Sequence, residues 1–297
     1  MDYRKFVESH LRTGADVSIS MIPVRADQVG EFGVMKVDDS GRVTEFREKP
    51  RDAESVEALK VGGDVLAKFG VTPGDRTHLA SMGIYVFNRD ALQELLTANA
   101  YEDFGKQIIP EAIRTKKVYS HLFDGYWEDI GTIPSFFEAN LSLTDPSPAF
   151  DFYDEERPIF THARFLPGSK IVASEVARSV LCEGSIIHGS SIRRSIVGVR
   201  SRIGEGSSLD RTIMMGADFY ESKDDLAHDA ARGIPAVGIG RRTEIRNAII
   251  DKNARIGDDV RLVNVRGVRE EKTDSCCIVG GILVIPKNAV VPDGTVL

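Results

Sequence analysis

The stretch Ile239-Gly240-Arg241-Arg242-Thr243-Glu244-Ile245-Arg246-Asn247-Ala248-Ile249-Ile250-Asp251-Lys252-Asn253-Ala254-Arg255-Ile256-Gly257 decides how the second half of the chain folds. Ile239, Ile245, Ile250, Ile256 and then Leu262 recur about every six positions, two of them followed at once by Gly. A helix repeats its apolar residues at about 3.6 and a strand at about 2. A six-residue step, with a β-branched residue inward and a small residue at the corner, is the signature of a β-helix. Each hexad forms one strand and one turn of a triangular coil. The same step runs upstream through Leu181, Ile187, Val197-Gly198, Ile203-Gly204, Leu209 and Met215, with a slip between Arg193 and Val197. It returns downstream at Ile285, Val291 and Leu297. Three such runs predict a β-helix over 169–297. Glu221 to Gly233 is charged, helical in pattern and ends at Gly233, so an insert is expected at about 217–236.

Residues 1–144 follow other periods. Tyr3–Leu11 has a helical pattern closed by Gly14. Asp16–Val24 reads as a strand, and Phe32–Glu48 as a hairpin around Asp38-Asp39-Ser40-Gly41. Residues 51–79 are polar with two short helical patches, a surface excursion. Ser81–Asn88 is largely apolar, as expected of a strand buried on both faces. Arg89–Ala98 and Gly105–Arg114 are amphipathic helices. Val118–Phe123 is a strand, and Ile133–Leu143 a helix that Thr132 can cap. Strands alternating with helices predict a mainly parallel sheet with helices on its faces. Pro146, Pro148, Pro158 and Pro167 punctuate an aperiodic linker, 145–168.

Composition narrows the function. The 297 residues are 42% hydrophobic and 28% charged, with a formal net charge of -7 and a pI near 5.5. That excludes a general nucleic-acid binder, which needs a basic face, but not an anionic small molecule held by a few local cations. No apolar run reaches the length of a membrane span. Cys182, Cys276 and Cys277 form neither a disulfide framework nor a zinc spacing, which indicates a reducing compartment. The six His residues are scattered singly. The chain enters its first helix at once, with no signal or transit-like stretch.

Four segments carry chemistry. In Tyr126-Trp127-Glu128-Asp129-Ile130-Gly131-Thr132, Asp129 follows a predicted strand, where an acid of an α/β sheet faces the ligand crevice. Trp127, the only tryptophan, offers a flat apolar surface for a sugar ring or base. In Phe46-Arg47-Glu48-Lys49-Pro50, Glu48 can accept from sugar hydroxyls and Lys49 can pair with a phosphate. Ser81-Met82-Gly83 offers a hydroxyl and a close backbone approach. Asp103-Phe104-Gly105 opens a helix. Each has an ordinary counterpart as well: an exposed Glu-Lys pair, a core Trp, a packing Gly, an N-cap Asp.

In order, these segments resemble one family. Phe-x-Glu-Lys-Pro, Ala-Ser-Met-Gly-Ile-Tyr-Val-Phe, Asp-Phe-Gly-Lys-x-x-Ile-Pro, Tyr-Trp-Glu-Asp-Ile-Gly-Thr and Ile-Asp-Lys-Asn-Ala-Arg-Ile-Gly are similar to ADP-glucose pyrophosphorylase (glucose-1-phosphate adenylyltransferase) along essentially the whole chain. Met-Gly-Ala-Asp-Phe-Tyr-Glu-Ser at 215–222 and Gly-Ile-Leu-Val-Ile-Pro-Lys at 281–287 resemble the cyanobacterial and plant branch. The resemblance implies a partial Rossmann-like (GT-A-like) nucleotidyltransferase domain, of which 1–144 is the sugar-phosphate half, then a left-handed parallel β-helix. It implies transfer from ATP to glucose 1-phosphate, giving ADP-glucose and pyrophosphate for glycogen or starch. Gly33, Glu48, Lys49, Ser81, Asp103, Phe104 and Trp127 match positions around the glucose phosphate. Asp129 matches one of two Mg²⁺-holding aspartates. Arg164, Lys252 and Lys287 match positions that bind anionic activators. A homo- or hetero-tetramer in the bacterial cytoplasm or plastid stroma is implied too.

The chain departs from the family's pattern at its start. No Gly-rich loop with Arg, to cradle ATP phosphates, opens the α/β part, and the Gly-Asp-His segment with the second metal aspartate has no counterpart. The chain by itself is therefore expected not to make ADP-glucose. Two other readings stay open. One is a non-catalytic regulatory subunit of the same enzyme. The other is a hexapeptide-repeat acyltransferase, for which His188 is the only His on a regular coil.

Overall fold

The computed structural model describes residues 1–297 except 73, 98–100, 157 and 274–275. Its contacts divide the chain into two compact units, Met1–Trp127 and Glu128–Leu297.

The first unit is built on a five-stranded sheet. β1 (Val17–Val24), β2 (Gly33–Val37), β3 (Val43–Glu48), β4 (His78–Phe87) and β5 (Val118–Leu122) lie in the order β3-β2-β4-β1-β5. β1 is buried along its whole length, because core packs on its side chains from two clusters, Val17, Ile19 and Met21 in one and Ile22 and Val24 in the other. The β2–β3 turn forms as expected. Asp38 Oδ1 accepts from the Ser40 and Arg42 N–H groups (2.9 and 3.1 Å), and Gly41 supplies the positive φ of 83°.

Strand direction corrects the expected mainly parallel sheet in this unit. Of the neighbouring pairs only β1–β5 is parallel; β3–β2, β2–β4 and β4–β1 are antiparallel. A parallel neighbour needs a crossover of a dozen or more residues over the sheet. The β2–β3 hairpin supplies one antiparallel pair, and β4, reached after α2 (Ala53–Ala58) and α3 (Gly63–Lys68), inserts antiparallel between β2 and β1. The α/β alternation was real, but it did not encode direction. β4 also differs from a strand buried on both faces: His78–Ala80 are buried, whereas Ile84–Phe87 are half-buried. A bulge separates the two halves.

Helices pack around this sheet. α1 (Tyr3–Thr13) ends on Gly14 in the left-handed region and buries Phe6 and His10. α4 spans Arg89–Thr97; Ala98, its expected last residue, lies outside the described residues. The helix expected from Gly105 starts as a wider π turn, Phe104–Ile108, with Asp103 as its cap, and continues as α5 (Ile109–Thr115).

The second unit opens with α6 (Ile133–Ser142), capped by Thr132 Oγ1, which accepts the Ser135 N–H. α6 buries Phe137 and Leu141 against Ile213, Ile249 and Ile282. Residues 145–168 hold no helix or strand among their described residues.

The coils that follow stack in parallel and form three inward columns. One is Ile187, Ile203, Ile239, Ile256 and Val291. The second is Ile192, Leu209, Ile245 and Leu262. The third is Val197, Met214, Ile250 and Ile285. All are buried in one core cluster, each side chain contributing roughly 1.5–3 kcal/mol by leaving water. Two details of the expected register change. The slip before Val197 is a five-residue side whose inward residue is Ile192, and the inward methionine is Met214, not Met215. The Ile-Gly pairs also have a more specific cause than corner turning. A Cβ on Gly204, Gly240 or Gly257 would stand 2.2 to 2.7 Å from atoms of the next coil. Many corners with positive φ are instead taken by Arg178, Arg194, Arg211, Arg242, Asn247 and Asn253.

Two excursions leave the coils. The expected insert contains α7 (Lys223–Ala231), which buries none of its own residues. Arg255 holds it to the stack through Glu221 (2.8 Å) and Asp229 (3.0 Å). An antiparallel hairpin, Glu270–Lys272 with Cys277–Val279, had no counterpart in the six-residue pattern. Among the described residues no helix is long and apolar enough to cross a membrane. The three cysteines are free thiols.

Candidate functional site

In the first unit, the end of β3 meets the start of β2. Gly33 pairs with Glu48, and a Cβ on Gly33 would lie 2.8 Å from Glu48 Oε2. The same carboxylate would lie 3.2 Å from a Cβ on Gly105. Two residues without side chains therefore make the space that Glu48 fills. Asp103 stands beside it, with Oδ1 3.5 Å from that Gly105 position and accepting the Lys106 N–H (2.8 Å). Glu48 and Lys49 are exposed and are neighbours in sequence. Among the described residues, neither forms an ion pair with the other or with any third group. A carboxylate and an ammonium at one strand end are thus both open to a ligand.

β4 supplies the next wall. Across its bulge Ser81 pairs with Met21 and Tyr85 with Ile19. Ser81 and Tyr85 thus stand on one face of the sheet, opposite β1 residues only two apart. Gly83, at φ 71°, accommodates the extra chain. The Tyr85 phenol is pushed up, chiefly by burial. The Ser81 hydroxyl opposes this, and the charges of Glu48 and Asp103 add to it. Phe104 stacks on Tyr85 at 6.0 Å, and the Trp127 ring lies 5.8 Å from Phe32.

Gly33, Glu48, Ser81, Asp103 and Phe104 are therefore gathered in one place, with Lys49 next to Glu48. Trp127 meets Phe32, the residue before Gly33, and packs with it on a separate core cluster. Tyr85 and Phe32 were not singled out from the sequence. The signal for Tyr85 was the Gly83 that permits the bulge; Phe32 carried none beyond its place before Gly33.

Asp129 and Gly131 lie in irregular chain at the head of the second unit. Asp129 Oδ1 accepts the Gly131 N–H at 3.0 Å. Among the described residues no group of three or more His, Cys, Asp or Glu could hold a metal ion. Mg²⁺ is commonly bound through one or two carboxylates together with substrate phosphates. A lone Asp129 fits the ion only as part of such a shared shell.

In the β-helix, Lys252 and Lys287 come together on one carboxylate. Asp218 Oδ1 is 2.8 Å from Lys252 Nζ, and Oδ2 is 3.1 Å from Lys287 Nζ. Asn253 Nδ2 donates to Oδ2 at 3.1 Å. These bonds, the two lysines foremost, hold the Asp218 carboxyl far below its ordinary range. Asp218 belongs to the 215–222 motif, but nothing in its spacing marks it as a partner of the lysines. Arg164 is exposed, donates to the His162 carbonyl (3.3 Å) and borders a cleft of about 610 Å³ with Phe165, Cys182 and Glu183. Burial, helped by Glu183, pushes the Cys182 thiol up. His188, on the coil strand Ile186–His188, has Glu205 at 4.0 Å.

Comparison with known families matches residues 1–146 to the nucleotidyl transferases and residues 164–296 to the GLGC left-handed parallel beta-helix domain. Both matches fit the ADP-glucose pyrophosphorylase resemblance carried by the motifs. The chain is a nucleotidyltransferase domain of α/β fold followed by a left-handed parallel β-helix domain.

Proposed function

We propose that this chain serves the transfer of an adenylyl group from ATP to glucose 1-phosphate, forming ADP-glucose and pyrophosphate for glycogen or starch, and that its first unit holds the sugar phosphate. The observation that carries this reading is the exposed Glu48-Lys49 pair, without an ion-pair partner among the described residues, beside Asp103 and Phe104. In such a transfer a phosphate oxygen of the sugar phosphate attacks the α-phosphorus of ATP. The protein's work is positioning and charge neutralisation. Glu48 accepts from the sugar hydroxyls, and the Lys49 ammonium offsets the phosphate charge. Phe104 and Trp127 give the ring an apolar wall, and the Ser81 and Tyr85 hydroxyls complete the polar side. Mg²⁺, held in part by Asp129, would add neutralisation of the phosphates. Lys252, Lys287 and Arg164 are proposed to bind anionic metabolites that regulate the enzyme, which would act as a tetramer.

The test is a titration with glucose 1-phosphate followed by the emission of the sole tryptophan. A saturable change is expected, with Glu48→Gln and Lys49→Ala each weakening binding by about tenfold or more, about 1.4 kcal/mol. No saturable change in the wild type would sink the reading.

A further inference from the structure

Phe32 does two separate things. Its carbonyl accepts the Lys49 N–H at 2.9 Å, one step beyond the Gly33–Glu48 pair that ends the β2–β3 ladder. Lys49 sits at φ 48° directly before Pro50. The left-handed region is unfavourable for a residue with a Cβ, and a following proline restricts the backbone further. Among the described residues the Lys49 side chain has no partner that would explain this conformation. Strain of this kind persists where the surroundings over-determine it, and the Phe32 carbonyl holds the Lys49 N–H in that conformation.

The ring of Phe32 acts elsewhere. It meets the Trp127 indole at 5.8 Å with the planes tilted by 59°. It packs on the buried cluster of Val29, Val34 and Leu59. The ring is thus anchored in core and supports a half-buried tryptophan, while the same residue's backbone aims Lys49. The next residue, Gly33, leaves the space for Glu48.

We infer that Phe32 is a positioning residue for the sugar phosphate, tying the Trp127 wall and the Lys49 cation to one rigid point and so fixing their spacing. This deepens the sugar-phosphate reading and rests on it. Phe32 itself touches no reacting atom; it acts through Trp127 and Lys49.

The experiment compares the wild type, Phe32→Leu and Phe32→Tyr. Leu stays apolar and keeps the carbonyl but removes the ring; Tyr restores the ring. Each is titrated by calorimetry with glucose 1-phosphate and with inorganic phosphate, and the ligand-free emission of Trp127 is recorded. Phe32→Leu should shift that emission and weaken glucose 1-phosphate by about tenfold. It should change inorganic phosphate, which needs only the cation, by less than about threefold, and Phe32→Tyr should restore wild-type affinity. Equal loss for both ligands would indicate general disruption and overturn the inference. So would unchanged glucose 1-phosphate affinity in Phe32→Leu while the wild type binds, which leaves the sugar-phosphate reading intact. A wild type that binds no glucose 1-phosphate would remove that reading and the inference with it.

Discussion

A carboxylate oxygen of Glu48 lies 2.8 Å from where a Cβ on Gly33 would stand, so the smallest residue of β2 makes room for the acid at the end of β3. The same Cβ would come within 2.7 Å of the Phe46 ring. Both obstacles are side chains that can turn aside. Gly33→Ala should therefore fold, with a melting temperature a few degrees lower, while displacing the carboxylate. Glucose 1-phosphate binding should fall by about tenfold or more. Unchanged affinity in the tryptophan titration would separate Glu48 from the site.

Lys49 offers a test that sets function against stability. A residue with a Cβ in the left-handed region costs roughly 1–2 kcal/mol, which Gly avoids. Gly gives back about 0.5–1 kcal/mol through the entropy of the unfolded chain. Lys49→Gly and Lys49→Ala both lose the ammonium and should both lose phosphate recognition. In urea unfolding, Lys49→Gly should nonetheless be more stable than Lys49→Ala by about 0.5–1 kcal/mol. Equal midpoints would show that the backbone there is not strained.

Three arginines stand on one corner of successive coils. Arg178, Arg194 and Arg211 have φ of 48°, 45° and 46°, and their preceding residues Ala177, Arg193 and Asp210 are in register. Arg211 pairs with Glu138 of α6 (2.5 Å), and Arg178 pairs with Asp145 just past its end. Arg194, between them, has a buried Nε without a hydrogen-bond partner among the described residues. A helix climbs about 1.5 Å per residue and the coils about 4.8 Å. The level of Arg194 therefore falls near Leu141 and Ser142. Leu141 is buried, which leaves Ser142. Ser142→Glu should stabilise the protein by about 0.5–1 kcal/mol, Ser142→Gln by less. The gain should vanish when Arg194→Ala is added. A gain that survives that second change would assign it to something other than the pair.

Asp218 gives the β-helix a pH signature. Lys252, then Lys287 and Asn253, hold its carboxyl far below the ordinary 3.8. A carboxyl depressed on folding stabilises the native state in full above its unfolded pKa. That contribution fades as the pH falls below that value through the folded one. The difference in melting temperature between the wild type and Asp218→Asn should thus be constant near neutrality and shrink below about pH 4. Asp218 is partly exposed, so screening limits the difference to well under about 1 kcal/mol. A difference that does not change between pH 6 and pH 3 would rule out the depressed carboxyl; both are about one unit or more from that threshold.

Whatever is written in short spacings could be read from the residues alone. The β-helix was legible because every coil repeats one local pattern, so Ile239, Ile245, Ile250 and Ile256 announce their inward direction without reference to the rest of the chain. The hairpin turn at Asp38–Gly41 and the caps at Thr132 and Gly14 were legible for the same reason. The segments gathered around Glu48 could be named from their side-chain chemistry, but not their arrangement. That β4 runs antiparallel to β1 emerged from the folded arrangement, because direction follows from where a connection crosses and not from the period of a strand. Only that arrangement brought Tyr85 level with Ser81, through a bulge, and set Asp218 between Lys252 and Lys287. Arg194 with no partner for its buried Nε among the described residues and Phe32 between Lys49 and Trp127 are likewise facts of packing. Such relationships join residues remote in the chain, and their energies depend on distances that folding alone creates.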